Sequence, residues 1–371
     1  MHSDVVIEKI SIKNFRSHQN LTIESSETNI VLFGENGSGK TNILEAISLF
    51  SPGRGMRSAK HDEILNTKVK DNNFEIRMLL KYSHGTVNLH KKFINSEKKE
   101  SYYLVDDERV NSNELLNYLR IIWITPSMEK VMLQSNTEKR NFFDRLIFNI
   151  EQKHLKNQRK LSELLKERLA LIQNESQRED WINIVENKIA LLTYEVIQDR
   201  NRVISLINEK LKSISQSFSS CTIEFKYIKE ITSFLVSKDY FIKEYKNILK
   251  SKRFIDAEIG TTSINANKIH ISIWKNDNIK LEAKNCSTGE QKLMLIAIII
   301  SVAKLIKEND SGKAPIILID EAMAHLDDRH KEQLLAELKE INSQVWYSGV
   351  SKELFSGINN QTVFFEVKNH I

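Results

Sequence analysis

The chain has 371 residues, of which 28% are charged and 40% hydrophobic, enough apolar surface for a core and too much for a disordered tail protein. Its length suits one large domain with a second lobe inserted rather than several minimal domains. With 54 lysines and arginines against 49 acids, the net charge of +5 permits nucleic acid or anionic lipid as a partner and requires neither.

The first segment reads as strand, turn, strand. Ile7, Ile10 and Ile12 set up a two-residue alternation, Asn14-Phe15-Arg16 breaks it, and Leu21 and Ile23 resume it. Acidic Asp4 and Glu8 interrupt the apolar start, so it lacks the basic opening and unbroken greasy run of a signal peptide. Ile30-Val31-Leu32-Phe33 is a short apolar run that ends in Gly34, as expected of a central strand in an open α/β sheet. After a glycine loop, Thr41 to Phe50 carries Ile43, Leu44 and Ile47 at helical spacing, and Pro52-Gly53 stops it. Strand character returns from Phe74 to Val110, and a further strand, Ile121-Ile122-Trp123-Ile124-Thr125, ends at Pro126.

No proline occurs between Pro126 and Pro315, and Phe142 to about Ile214 is dense in Leu, Glu, Lys and Asn. Leu161, Leu165, Leu169 and Ile172 share one helical face; Val185, Ile189, Leu192, Val196, Val203 and Leu206 form a second set beyond a polar break at 174–180. The two sets predict an antiparallel helical hairpin of about 50 Å, short for a chromosome-condensing arm. The tail alternates again: helix Glu290 to Lys307, strand Ile316 to Ile319, helix Lys331 to Ile341 and strand Val345-Trp346-Tyr347, the pattern of a parallel sheet. Leu293 to Ala303, the greasiest run, is stopped by Lys304 and Lys307 well short of a membrane span of about 20 residues. Cys221 and Cys286 stand alone, without zinc spacing or a disulfide framework, which fits a reducing cytoplasm.

Three stretches carry chemistry. Gly34-Glu35-Asn36-Gly37-Ser38-Gly39-Lys40-Thr41 is a complete phosphate-binding loop between a buried strand and a helix start, and Asn42 follows it into the helix. Backbone N–H groups and the helix dipole meet a polyphosphate there, Lys40 reaches its outer phosphates, and the Thr41 hydroxyl is a Mg²⁺ ligand. Ile316-Ile317-Leu318-Ile319-Asp320-Glu321 supplies what the loop lacks: Asp320 for the magnesium shell, and Glu321 as the catalytic group that orients the attacking water. Ser287-Thr288-Gly289-Glu290-Gln291-Lys292 opens a long apolar helix; Ser287 with Glu290 makes a capping box, and the same small-residue helix start is also an anion site.

That third loop resembles the signature motif of ABC-type ATPases, and its order, after the phosphate loop and before Asp320-Glu321, matches that class. The resemblance implies an ABC-type ATPase head of the P-loop NTPase class, α/β, with an inserted helical arm lobe. It also implies that Ser287, Gly289 and Glu290 act on ATP held by another head, so that the single-headed chain works as an ATP-dependent homodimer. Ile10 to His18, Thr41 to Ile47, Ser51 to Ser58, Trp123 to Met128, Lys139 to Leu146 and Ala324-His325-Leu326-Asp327 resemble the RecF family of SMC-like DNA-repair ATPases, over most of the chain.

Membership would divide the chain into lobe I with the phosphate loop (1–140), a helical arm (141–255) and the rest of the head (256–371). It would make the chain a weak, switch-like ATPase using ATP and Mg²⁺ in the cytoplasm, binding double-stranded, gapped and single-stranded DNA. RecR would be its partner, with RecO and RecA in the pathway; RecA loading at single-strand gaps and the SOS response would be its context. Arg16 and Gln134 join the nucleotide set on the same grounds, and His325 and Asp327 the dimer contact. Arg54, Arg57 and Lys60 are the candidate DNA contacts, whereas Lys156, Arg159, Lys160 and Lys166 on the arm are interleaved with acids, as on a solvated face. Two departures stand out. Ser263-Ile264-Asn265-Ala266 takes the place of a Gly-Pro-His-Arg segment common in the family, and Ser348-Gly349-Val350 occupies the place of the transporters' switch histidine, making Ser348 a candidate γ-phosphate sensor. An ABC transporter ATPase subunit and a structural SMC-type clamp are the alternatives; a membrane-spanning partner would mark the first, topological DNA holding the second.

Overall fold

The alternating start of the chain forms β1 (Val5–Phe15), which hairpins into β2 (His18–Glu24) through a turn where Asn14 and Arg16 take positive φ. The computed structural model describes residues 5–66, 69, 73–174, 179–214, 218–276, 280–310, 313–358 and 361–368. Next come β3 (Asn29–Phe33), α1 (Lys40–Ser48), the single turn α2 (His61–Ile64), β4 (Asn73–Tyr82), β5 (Gly85–Ile94), β6 (Glu100–Val105), β7 (Glu108–Val110) and β8 (Ile121–Ile124). The helical stretch resolves into α3 (Asn136–Ile150), α4 (Gln152–Gln173) and α5 (Glu179–Ile214). Beyond it lie β9 (Cys221–Tyr227), α6 (Lys229–Thr232), α7 (Lys238–Ser251), α8 (Arg253–Ile259), β10 (Ile269–Asn276) and β11 (Lys280–Glu282). The tail adds α9 (Thr288–Asn309), β12 (Ile316–Asp320), α10 (Asp328–Ile341), β13 (Val345–Gly349) and β14 (Thr362–Glu366).

Two compact units result. The first comprises residues 1–129, 214–218 and 292–371, and holds two sheets. One is six-stranded and antiparallel, in the order β2-β1-β4-β5-β6-β7. The other is parallel, in the order β14-β3-β13-β12-β8, so the strand before the phosphate loop lies between two strands from the tail. Its inner strands are buried throughout at Ile30-Val31-Leu32, Ile316 to Asp320 and Val345 to Gly349, which explains their unbroken apolar spelling. All point their carboxyl ends the same way, the edge where open α/β sheets bind ligands.

The second unit comprises residues 130–213 and 219–291. Its helices α4 and α5 bury Leu161, Leu164, Val185, Ile189 and Val196 in one cluster with Phe241 and Tyr245 of α7. At 36 residues, α5 is about 54 Å long. Two fully buried arginines cross this apolar packing. Arg168 pairs with Glu186 and Asp256, and Arg200 with Asp144. Ionic bonding to Arg200 and His154 holds the Asp144 carboxyl below its ordinary range despite burial. Removing one member would strand a buried charge, so the network fixes geometry more than it adds stability. A small sheet, β11-β10-β9, completes the unit. Among the described residues, no helix is long and apolar enough to cross a membrane.

Candidate functional site

The carboxyl end of β3 runs into Gly34, and the loop closes on α1, whose first residue is Lys40. Gly39 caps the helix at φ 100°, and a Cβ there would lie 2.6 Å from His18 Nε2, the same atom that donates to the Gly39 carbonyl at 3.0 Å. The glycine is thus required by both backbone geometry and close approach. Lys40 is only 4% exposed. Its ammonium donates to the carbonyls of Gly34 and Glu35, both at 2.7 Å, and spans the loop from within. Burial pulls its pKa below the ordinary lysine value, opposed by the nearby carboxylates of Glu321 and Asp320.

Two strands away, β12 delivers Asp320, buried at 6% exposure. Thr41 Oγ1 donates to Asp320 Oδ1 at 2.8 Å, a contact between residues 279 positions apart that only the parallel sheet brings together. A hydroxyl and a carboxylate oxygen converging beside a lysine are hard-oxygen donors of the kind that Mg²⁺ accepts. Glu321 follows in the left-handed region, at φ 52°, a conformation that costs a non-glycine residue energy and needs support from its surroundings.

Ser348 gives that support. The register of β12 and β13 sets it beside Asp320, and its hydroxyl donates to Asp320 Oδ1 at 2.7 Å while accepting from the Glu321 N–H at 3.1 Å. One buried hydroxyl therefore holds the Asp320 carboxylate and the Glu321 backbone. The sequence marks Ser348 only by position, and nothing in its spacing announces this double contact.

Arg16 turns its guanidinium onto Glu45 of α1, at 2.9 and 2.7 Å, and onto the Glu63 carbonyl at 2.6 Å. Arg57 shares the same carboxylate at 3.4 Å and reaches the Asn42 side chain at 3.0 Å. Glu45 is fully buried, so it serves as the common anchor of hairpin, helix and loop; it is the site-adjacent residue that motif reading overlooks. Arg54 and Lys60 are exposed. In the loop, Glu35, Asn36 and Gly37 face solvent and Ser38 is buried. Asp327 caps α10 by accepting from the His330 N–H at 2.9 Å, and the side chain of His325 lies outside the described residues.

In the second unit, the start of α9 is a full capping box. The Ser287 N–H and hydroxyl donate to Glu290 Oε2 at 2.9 and 2.8 Å, and the Glu290 N–H returns a bond to Ser287 Oγ at 3.3 Å. Lys275 adds an ion pair to Glu290 at 2.6 Å, and these bonds pull the Glu290 pKa down to about 2. Gln291, buried, ties the preceding turn by donating to the carbonyls of Ala283 and Cys286. Gly289 is exposed, and a Cβ built on it would meet nothing within 4 Å. Its lack of a side chain thus serves no packing within the chain. Gln134 is half-buried in the turn before α3, its N–H bonded to the Val131 carbonyl.

Comparison with known proteins finds relatives over nearly the whole chain. Residues 6–371 match the family described as RecF/RecN/SMC N terminal domain. The DNA replication and repair protein RecF of Rickettsia rickettsii (strain Sheila Smith) is 31% identical over 361 residues, 96% of this chain and 97% of that one. RecF of Rickettsia prowazekii (strain Madrid E) is 32% identical over 366 residues, again 96% and 97% of the two chains. Among solved structures, the recombination mediator protein RecF with ATP, of the RecFOR pathway, superposes with a TM-score of 0.84 at 20% identity, covering 99% of each chain. The Smc head domain of Pyrococcus furiosus is more distant, at TM-score 0.56 and 17% identity over 98% of this chain and 94% of that one.

Proposed function

Because the chain belongs to the RecF family and has the fold of an ABC-type ATPase head, we propose that it is a weak, switch-like ATPase of DNA gap repair that dimerises on ATP. The observation that carries this reading is the convergence of Lys40, Thr41, Asp320 and Ser348 at the carboxyl edge of the parallel sheet. Loop N–H groups and Lys40 take the triphosphate, with Gly34 to Asn42 as its cradle. Thr41 and Asp320 hold Mg²⁺, which when bound neutralises phosphate charge. Glu321 accepts a hydrogen bond from the attacking water and directs its lone pair to the terminal phosphorus. Arg16 is a further polar contact of the nucleotide.

The second half of the site comes from the other protomer. Ser287, Gly289 and Glu290 close over the terminal phosphate, and the open face of Gly289 leaves room for that approach. His325 and Asp327 meet the partner head. DNA, whether duplex, gapped or single-stranded, is gripped through its backbone by Arg54, Arg57 and Lys60, giving salt-sensitive and sequence-tolerant binding. In the cytoplasm this switch, with RecR as direct partner and RecO alongside, assists RecA loading at gaps and so supports replication restart and the SOS response. Binding to gapped, duplex and single-stranded oligonucleotides, with nucleotide and salt varied, tests partner and switch together. DNA affinity indifferent to nucleotide would reject the switch.

Two substitutions separate the parts. Ser287→Ala removes the cap hydroxyl at a cost of about 1 kcal/mol in helix stability, yet leaves the phosphate loop intact. Its expected phenotype is parental ATP affinity with loss of ATP-driven dimerisation, read by sedimentation with and without Mg-ATP; a dimer of parental strength would count against a serine acting in trans. Ser348→Ala frees the Asp320 carboxylate and the Glu321 backbone N–H from their shared hydroxyl. Turnover is expected to drop about 10- to 100-fold with nucleotide affinity nearly unchanged, since small misplacements of a positioned group cost that much. Steady-state kinetics beside nucleotide titration decide, and unchanged turnover would reduce Ser348 to a packing role.

A further inference from the structure

Beyond α1, the loop that carries Arg54 and Lys60 folds against the antiparallel sheet and forms an open cavity of about 310 Å³. Arg54, Lys60 and Lys99 line it together with His61, Ser101 and Phe93, and Asp62 is the acid among the lining residues. Lys99 pairs with Asp62 at 2.5 Å, so among the described lining residues no second acid faces Arg54 and Lys60. The floor is apolar. His61 stacks on Phe93 with ring centroids 5.1 Å apart and planes 23° from parallel, and Phe93 leans on Phe74.

Directly behind the cavity sits a buried ammonium. Lys91 of β5 is 1% exposed, and its bonds run to the Tyr103 hydroxyl at 2.8 Å and to Ser101 Oγ at 3.4 Å, with the Tyr103 ring 4.0 Å away. Tyr103 in turn donates to the Leu49 carbonyl, so its oxygen meets Lys91 as an acceptor. Among the described residues, no carboxylate pairs with Lys91. A charge so placed needs a compensating anion or loses its proton. Burial lowers its pKa to about 7, and an anion next door would favour its charged form. Ser101 links the two, because its hydroxyl also lies 3.4 Å from His61 Nε2 at the cavity wall. Burial and the nearby Lys91 and Arg54 hold His61 neutral, with a pKa of about 4, so it offers an N–H without adding charge.

We propose that this cavity, walled by Arg54, Lys60, His61, Lys99 and Ser101 and backed by Lys91, seats one backbone phosphate of the bound DNA. The proposal deepens the DNA reading above and rests on it. It assigns a pocket to a phosphodiester oxyanion in place of a diffuse basic surface, and adds His61, Lys99 and Ser101 to the residues that receive DNA, with Lys91 acting behind them through Ser101.

The test is fluorescence anisotropy of a labelled duplex titrated with the full chain in Mg-ATP across a KCl series, comparing the parent with the double variant Arg54→Ala/Lys99→Ala. Parental melting temperature and ATP affinity certify that the variant folds; should it fail to fold, Ser101→Ala is measured in its place for a smaller loss of the same sign. Loss of one phosphate contact is expected to lower low-salt affinity roughly tenfold and to flatten log K against log salt by about 0.9. A folded variant with parental affinity and slope overturns the pocket while leaving DNA binding standing. A parent that binds no DNA at any salt overturns the DNA reading and the pocket with it. If inorganic phosphate at constant ionic strength raises the parent's melting temperature but not the variant's, while their DNA curves coincide, the cavity is a free-phosphate site and the proposal fails.

Discussion

Lys40→Ala is expected to lower ATP affinity by a hundredfold or more, to the point where the chain no longer dimerises in millimolar Mg-ATP. Lys40 is buried, spans the loop through two carbonyls at 2.7 Å, and in the proposed complex would exchange those carbonyls for phosphate oxygens. Truncating one member of a buried charge pair costs about 2–5 kcal/mol, mostly because the remaining charge loses its partner. The substitution also removes a cation from beside Asp320 and Glu321, leaving two carboxylates to face the incoming phosphates. Equilibrium binding of a fluorescent ATP analogue gives the affinity directly; a fall of less than about tenfold would mean that loop N–H groups alone hold the nucleotide.

Glu321→Gln should behave in the opposite sense. The amide keeps the size of the side chain, and the backbone N–H at this position, at φ 52°, still donates to the Ser348 hydroxyl, so nucleotide binding survives. What disappears is the carboxylate that orients water, and removal of a positioned base typically costs about 10²- to 10⁴-fold. The variant should therefore accumulate as an ATP-locked dimer, detectable as a long-lived dimer peak in size-exclusion chromatography with Mg-ATP and as loss of phosphate release. Hydrolysis at the parental rate would assign the base to another residue.

The two predictions draw on parts of the molecule that are unequally legible in the chain. The phosphate loop is readable because its chemistry is local: eight consecutive residues between an apolar run and a helical pattern define it. Asp320-Glu321 is less so, since an apolar strand followed by two acids acquires meaning only beside the phosphate loop upstream, whose Thr41 lies 2.8 Å from Asp320. Ser348 is almost invisible. A serine at a strand end carries no periodicity, and its role follows from the register that pairs Asp320 with Ser348.

The helical unit shows the same limit. Leucine spacing predicts the α4–α5 hairpin, but Arg168 and Arg200, which look like solvent-facing residues, are fully buried. Their partners lie far along the chain: Asp256 is 88 residues from Arg168, and Asp144 is 56 from Arg200. The segment that departs from the family pattern belongs to this network. Arg168 donates to Thr262 just before it and Tyr245 to the Ile264 carbonyl within it, while Arg200 donates to the Ala266 carbonyl at its end. Strand β9 is a different case: Thr222, Glu224 and Lys226 alternate with Cys221, Ile223, Phe225 and Tyr227, a legible period-two pattern that the surrounding helix-rich stretch overshadows.

Glu45 carries a practical consequence. Arg16, offered as a nucleotide contact, and Arg57, offered as a DNA contact, both lean on its buried carboxylate. Residues that share one anchor have non-additive substitution effects, so trimming either arginine alters the electrostatics felt by the other. Phenotypes at positions 16, 45 and 57 therefore report on a single charge constellation, and sorting them into ATP defects and DNA defects from single variants would divide what the molecule keeps whole.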